Sequence, residues 1–585
     1  MSIIKAIVSF FLLISVTTLF ASESQSPDVL KEIYHEILSK QAPDKQLDNA
    51  AYSLSYGNEL SSDFFIPFPS SHLWGMPPED YAAYPYNKEA TDFGLPDCTS
   101  TKECINGTTC VLLNAFDDGS AQQHSKKCVG MADPNLDRIY NAMVKAEHFV
   151  DITVFTFPDG RFKATLTNAI AKLAHKNKLI IVRLFVGFYG PPIPKHLVPQ
   201  KYPSKTELSV IREEMTKRFI QDITSKMKSK PYSGVTVYVA GVSSCNPNLM
   251  KVFLEKSKSK VLSIAYNHSK IIDVDGQLML TGGVNMDTAS YLAERPVMDF
   301  MAEIAGPTAA YAIHFTNFLW SYVDKNLKDN NLISEYRYDK GKISSLMTPP
   351  QLSAKPLQKE GGVEILGIGK SGACILQDGT KEDASNLAFY LLLKSAKHSI
   401  YIAQQSLDSV FYMWPSSVNN EEKHSNYMKA IASLLLKGGD VYVTTSPYDS
   451  SIIKFFEYYP SLASNEMIWN KIKGYVVHNE ENKPITPSQV EKILCDHLHI
   501  GHPAFSDTSD VWPDGHQLYQ HYKFIMVDER FFYVGSQNFY PDALQDYGVI
   551  IDSKKASLIV KKAFWDPYWK YVSHYEFHAQ ACKTT

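Results

Sequence analysis

"YNHSKIIDVDGQLMLTGGVN", Tyr266 to Asn285, decides how this chain is read, because "QHYKFIMVDERFFYVGSQN", Gln520 to Asn538, repeats its pattern. In each stretch a histidine is followed by Lys at +2, Asp at +7, Gly at +14 and Asn at +17, with a constant offset of 253 residues. Five positions agreeing at one offset mark an internal duplication, and a duplication settles architecture before local detail does.

The elements upstream of each copy follow the same order. The first half reads helix "LDRIYNAMVKAEH", strand "VDITVFTF", helix "LTNAIAKLAHK" and strand "LIIVRLFVG"; the second reads "SNLAFYLLLKSAKH", "SIYIAQQSL", "MKAIASLLLKGG" and "DVYVTTSP". Helices alternating with buried strands predict an α/β fold, here two pseudo-symmetric lobes in one chain. The expected boundaries are 131–339 for the first lobe, 340–362 for a linker weak in periodicity, and 363–585 for the second lobe.

Residues 22–130 match neither lobe and read as an irregular, cysteine-containing extension packed on the first. Four of the eight cysteines, Cys98, Cys104, Cys110 and Cys128, crowd into it, as in disulfide-stapled segments of oxidising compartments. Before it, residues 1–21 have the make-up of a signal peptide: a positive start ending at Lys5, an apolar run to Phe20, then polar sequence. The chain is therefore expected to be secreted, extracellular or periplasmic. Its 44% hydrophobic and 21% charged composition is that of a globular protein, and a net charge of −4 gives no basic track for nucleic acid. Two sequons occur, at Asn106 and Asn267, the second inside the opening stretch.

On a strand, His268 and Lys270 share one face with Ile272 and Val274, and the second copy sets His521 and Lys523 beside Ile525 and Val527. Asp275 and Gly276 make a turn signal, so a hairpin returns Gly282, Gly283 and Asn285 beside the His/Lys pair, as it returns Gly535, Ser536 and Asn538 in the second copy. Lysine, asparagine and backbone amides in a concavity suit the oxygens of a phosphoryl group. One His-x-Lys is more often a polar sheet edge than a catalyst; two copies at identical spacing point to a site.

This pattern, His-x-Lys-x4-Asp followed by Gly-Gly/Ser-x-Asn, resembles the phospholipase D superfamily in its two-motif form. "VMDFMAEIAGPTAA", "GHQLYQHYKF", "GSQNFYPDALQDYGVIIDS" and "DPYWKY" are similar to stretches of secreted bacterial, actinomycete-type members. The resemblance implies one active site at the lobe interface, with His268 as nucleophile and His521 as general acid and base. It implies that Lys270, Lys523, Asn285 and Asn538, with Gly283 and Ser536, bind the phosphate, and that Asp546 orients His268 and Asp299 orients His521. Asp275 and Asp528 become structural members of the motif. Where actinomycete members tend to carry a tryptophan, this chain has Asp287, with Tyr291 retained; these two are the expected head-group contacts. The expectation is a monomeric phosphodiesterase acting on phospholipid at a membrane surface, with no metal or other cofactor and no stable nucleic-acid partner.

Three other readings compete. A nuclease of the same superfamily uses the same chemistry on nucleic-acid phosphodiesters. Cys495, His497, His499 and His502 in "CDHLHIGH" have spacings that could ligate zinc. A non-enzymatic descendant would show decay of the motifs, and both His/Lys pairs and both asparagines are intact.

Overall fold

In a computed structural model, the protein is described from residue 28 to residue 582; the undescribed stretches are 1–27, 41–51, 85–93, 189–204, 227–233, 243–266, 327–332, 346–349, 371–383, 409–417, 450–458 and 479–484, with a few shorter gaps. The expected signal segment, Asn106, Cys245 and Cys374 lie outside the described residues.

The N-terminal region carries β1 (Tyr52–Asn58) and β2 (Phe65–Phe68), then β3 (Asp97–Cys98), β4 (Thr109–Val111) and β5 (Lys126–Val129). The first half follows with β6 (Phe149–Thr156), β7 (Ile180–Phe188), β8 (Val235–Val242), β9 (Ile271–Val274), β10 (Leu278–Gly282), β11 (Asp299–Ala305), β12 (Ile333–Asp339) and β13 (Lys342–Ser345). The second half supplies β14 (Val363–Lys370), β15 (Ser399–Gln404), β16 (Asp440–Thr445), β17 (Leu498–Gly501), β18 (Lys523–Val527), β19 (Phe531–Gly535) and β20 (Asp546–Asp552).

These strands form two large mixed sheets and one small sheet. The first runs β13-β12-β8-β7-β6-β9-β10-β11-β2, the second β1-β14-β20-β19-β18-β15-β16-β17. Read from β8 to β2 and from β17 to β14, the two orders are the same: three parallel strands, then the motif hairpin and its neighbours running antiparallel. Burial of both faces explains why β6 and β15 read as near-continuous apolar runs. Each sheet packs helices over one face in its own core, around Ile152 and Ile272 in one and Ile402 and Ile525 in the other. The opposite faces share a third core in which Met279 and Phe300 meet Phe524, Phe532 and Val534.

The topology corrects the expected boundaries. β2 holds in the first sheet the place that β14 holds in the second, so the first repeat opens with β2 and the cysteine segment interrupts it before the helix Asn135–Met143. The N-terminal region does not pack on the first half alone. β1 pairs with β14 while β2 pairs with β11, and the helix Val29–Lys40 buries Leu30, Ile33 and Ile37 in the core of the second half. β13 pairs with β12, so the residues after 340 begin as a hairpin strand of the first sheet and not as linker.

Two disulfides, Cys98–Cys110 and Cys104–Cys128, staple the small β3-β5-β4 sheet, and a third joins Cys495 to Cys582. Among the described residues no helix is long and apolar enough to cross a membrane.

Candidate active site

Both motif hairpins turn on a pair of residues in the left-handed region. Asp275 and Gly276 have φ of 57° and 63°, and Asp528 and Glu529 have 51° and 52°. At Gly276 a Cβ would fall 2.1 Å from the Cβ of Ala354, which explains glycine there. The motif aspartates fix these turns to the central strands. Asp275 accepts the backbone N–H groups of Glu147, His148 and Phe149 at 2.7–2.9 Å, and Asp528 accepts those of Lys397, His398 and Ser399 at 2.8–2.9 Å. Asp273, which has no counterpart in the second copy, caps the first turn by accepting the Gly276 N–H at 2.7 Å.

The histidines precede their strands and are placed by backbone bonds to the other half. His268 donates its N–H to the Gln545 carbonyl at 2.6 Å, and His521 donates to that of Met298 at 2.8 Å. Gln545 and Met298 immediately precede Asp546 and Asp299, so each bridge delivers an acid to the opposite histidine. Nδ1 of His268 lies 2.8 Å from Asp546 Oδ1, and Nδ1 of His521 lies 3.1 Å from Asp299 Oδ2. A carboxylate accepting at Nδ1 leaves the Nε2 lone pair for chemistry. The two imidazoles face each other edge to face, with ring centroids 6.4 Å apart.

Lys270 and Lys523 each turn back to donate to the carbonyl of their own histidine, at 2.6 and 2.8 Å. Both are buried. Burial, and then the Lys523 charge, hold Lys270 well below the ordinary lysine value, and burial brings Lys523 down to about 7. Burial with Lys270 lowers His268 to about 3, and burial with Lys523 lowers His521. Buried cations set side by side are relieved by an anion between them.

The two acids differ. Burial raises Asp299 to about 7 against the pull of Lys523. Burial also opposes ionisation of Asp546, but its pairing and hydrogen bond with His268 and the charges of Lys370 and Lys270 overcome it and hold this carboxyl below the usual range.

Several residues expected at the phosphate or the head group sit elsewhere. The Gly283 N–H is taken by the Phe300 carbonyl at 3.1 Å, and a Cβ on Gly283 would fall 2.2 Å from Asp299 Oδ1; the glycine makes room for the acid. The Ser536 hydroxyl donates to Asp546 Oδ1 at 2.8 Å, and its N–H goes to Tyr547. Tyr291 is fully buried: its hydroxyl donates to Asp299 Oδ2 at 3.2 Å and lies 2.9 Å from His521 Nδ1, so it belongs to the histidine's support. Asp287 caps the one-turn helix Thr288–Tyr291 by accepting the N–H groups of Ala289 and Ser290. Asn285 and Asn538 line the centre, their amides reaching Tyr459 and Asp542 at 3.1 and 3.2 Å.

Tyr459 had no sequence signal. It has φ of 56°, and its ring lies 4.3 Å from that of His521. A left-handed tyrosine packed on a buried histidine is strain held by its surroundings.

The residues of the zinc alternative are engaged separately. Cys495 is in a disulfide, and the histidines pair with separate carboxylates: His497 with Asp440, His499 with Glu576 and His502 with Asp510.

Two His–carboxylate couples closed over two buried lysines, each couple completed by the other half of a duplicated α/β chain, define a phosphodiesterase. No family model matches the chain. It is 24% identical over 470 residues to the phospholipase D of Streptomyces antibioticus, across 74% of this chain and 76% of that protein. Among solved structures, the phosphatidylserine synthase of Haemophilus influenzae Rd KW20 aligns over 77% of this chain and 87% of its own, with 11% identity and a TM-score of 0.44. Nuc of Salmonella typhimurium, a phospholipase D family member, aligns over 37% of this chain and all of its own, with 15% identity and a TM-score of 0.22. The chain is thus similar, over about three quarters of its length, to a bacterial phospholipase D of the actinomycete type.

Proposed function

We propose that this protein is a secreted phospholipase D that hydrolyses glycerophospholipids, phosphatidylcholine among them, to phosphatidate and the free head-group alcohol. The observation that carries the reading is the pair of facing imidazoles, each with its Nδ1 against a carboxylate of the other half. Such a pair suits a two-step displacement at phosphorus. His268 Nε2 attacks phosphorus as the bond to the head-group oxygen breaks, and His521 gives that oxygen its proton. His521 then takes a proton from water, whose oxygen displaces His268 and releases phosphatidate.

Lys270 and Lys523, with the amides of Asn285 and Asn538, hold the non-bridging oxygens in a dry site, where charge stabilisation is strongest. A primary alcohol in place of water gives a phosphatidyl alcohol. Export fits the three disulfides and the expected signal segment. A lipid surface is the natural partner, and the monomer is a sufficient unit because both halves of the site lie in one chain.

The test is head-group release from liposomes of phosphatidylcholine, phosphatidylethanolamine and phosphatidylglycerol, with a primary alcohol present and single-stranded DNA run in parallel. Phosphatidate diverted to phosphatidyl alcohol is the expected result. Nucleotide release with intact lipid overturns the lipid assignment in favour of a nuclease.

A further inference from the structure

The two halves of the site are related by topology but not by chemistry, and the difference lies on the strands flanking the acids. β11, which carries Asp299, pairs with β2 so that Asp299 stands opposite Phe68; β20, which carries Asp546, pairs with β14 so that Asp546 stands opposite Lys370. Residues directly opposite on antiparallel strands project from the same face. One acid therefore has a buried aromatic ring as its cross-strand neighbour and the other a buried ammonium.

Lys370 forms an ion pair with Asp542, and its Nζ stands 3.9 Å from Asp546 Oδ2. Among the described residues no hydrogen bond reaches Oδ2, while Oδ1 accepts from both His268 and Ser536. Asp542 also accepts the Asn538 amide at 3.2 Å and the Leu544 N–H at 3.2 Å, so the pair anchors the loop that leads from the second motif to Asp546. At the position equivalent to Ser536 the first half has Gly283, which offers Asp299 no hydroxyl.

We propose that Lys370, acting with Asp542, is a positioning residue that keeps the Asp546 carboxylate anionic and turned to the Nδ1–H of His268, which makes the two half-sites unequal. The inference rests on the phosphohistidine reading of the site. A fixed anion holds the Nδ1–H tautomer of His268, with its Nε2 lone pair free to attack phosphorus. Asp299, with no such lysine and with Tyr291 as a second partner, lets its proton be shared, which suits a histidine that must give up and recover a proton. Besides Lys370 and His268, Asp546 is faced by Lys270, by Lys523 of β18, by Tyr533 of β19, and by Tyr540 and Asp542 of the intervening loop. Losing Lys370 removes one cation from this set and leaves two buried carboxylates side by side, so one of them takes a proton.

The test compares Lys370→Met, Lys370→Arg and Asp542→Asn with wild type over pH 4–8, using phosphatidyl-p-nitrophenol and thermal melts. The acidic limb of kcat/KM in Lys370→Met is expected to move up by about one pH unit, with about tenfold more activity lost at pH 5 than at pH 8. Lys370→Arg keeps the wild-type limb. Asp542→Asn, which leaves Lys370 to Asp546 alone, keeps the limb or moves it down even if Lys370→Met does not fold. A limb that stays put in Lys370→Met, or moves up in Asp542→Asn, overturns the proposal. Nitrogen NMR of histidine-labelled protein reads the His268 tautomer without substrate. Loss of the Nδ1–H form in wild type above pH 5 also overturns the proposal, whereas phosphodiesterase activity persisting in His268→Ala overturns the reading of the site instead.

Discussion

Nδ1 of His268 and Oδ1 of Asp546 meet at 2.8 Å across 278 residues of sequence. The bond joins the two halves of the duplication, so the imidazole of one half depends on the acid of the other. Asp546→Asn keeps the shape but offers an amide where an anion stood, and the favoured tautomer is lost. Turnover should fall on the order of 10³-fold or more while the melting temperature stays near wild type; near-normal kcat in this variant counts against the pairing.

The two histidines should separate with an activated leaving group. Phosphatidyl-p-nitrophenol needs little help from an acid, so His521→Ala should release about one equivalent of p-nitrophenol in a burst and then stall as a covalent adduct on His268. His268→Ala should show no burst. Stopped-flow absorbance and intact-protein mass spectrometry read both, and a burst in His268→Ala would reverse the roles.

Stability should vary with pH in two opposed ways. His268 is held at about 3, below the ordinary 6.5, so the folded protein binds fewer protons than the unfolded chain between these values. Its contribution is fully present above pH 6.5 and is lost as pH falls toward 3. Asp299 is raised from 3.8 to about 7, so its contribution is fully present below 3.8 and is lost as pH rises through 7. Asp299→Asn removes the second effect, and denaturant titrations from pH 4 to pH 8 should show a steeper acid loss than in wild type. An unchanged slope refutes the assignment.

Asp275 and Asp528 each gather three backbone N–H groups at the entrance to a central strand. Replacing either with alanine strands those donors and should cost about 2–4 kcal/mol of stability. The rate per folded molecule should change less than tenfold, because neither side chain faces phosphorus. Urea unfolding combined with active-site titration separates the two quantities.

Asn267 satisfies the sequon rule but is 1% exposed, and its side-chain oxygen accepts from the Ser269 hydroxyl at 2.6 Å. Folded protein recovered from a glycosylating host should carry no glycan on Asn267. Glycopeptide mapping checks this, and an occupied Asn267 in active enzyme would contradict the packing of the first motif.

The sequence disclosed the duplication because a catalytic motif must keep residue types at fixed spacing, and two copies expose the offset. The hairpins were legible from Asp275-Gly276, and the acids from their resemblance to family positions. Other features had no local signal. β2, "FIPF", and β14, "VEILGIGK", are equivalent strands with no shared pattern, so the opposition of Phe68 to one acid and Lys370 to the other appears only through cross-strand register. Lys370 reads as an ordinary lysine ending a strand, and Tyr459 is one tyrosine among 34. The spacing of "CDHLHIGH" does not disclose that His497 ends a helix while His499 lies on β17. Nothing in the sequence signals that Asp299 and His521 close over the Tyr291 hydroxyl.

The N-terminal region, with β1 in the second sheet and β2 in the first, works as a clasp. Only the short run from Glu59 to Phe64 separates the two strands, and Phe64 is itself buried in the core that both sheets share. Swinging the halves apart like a clamshell would tear one of two ladders, β1 from β14 or β2 from β11. The two histidines are thereby held at a fixed separation, with the two halves kept shut on each other.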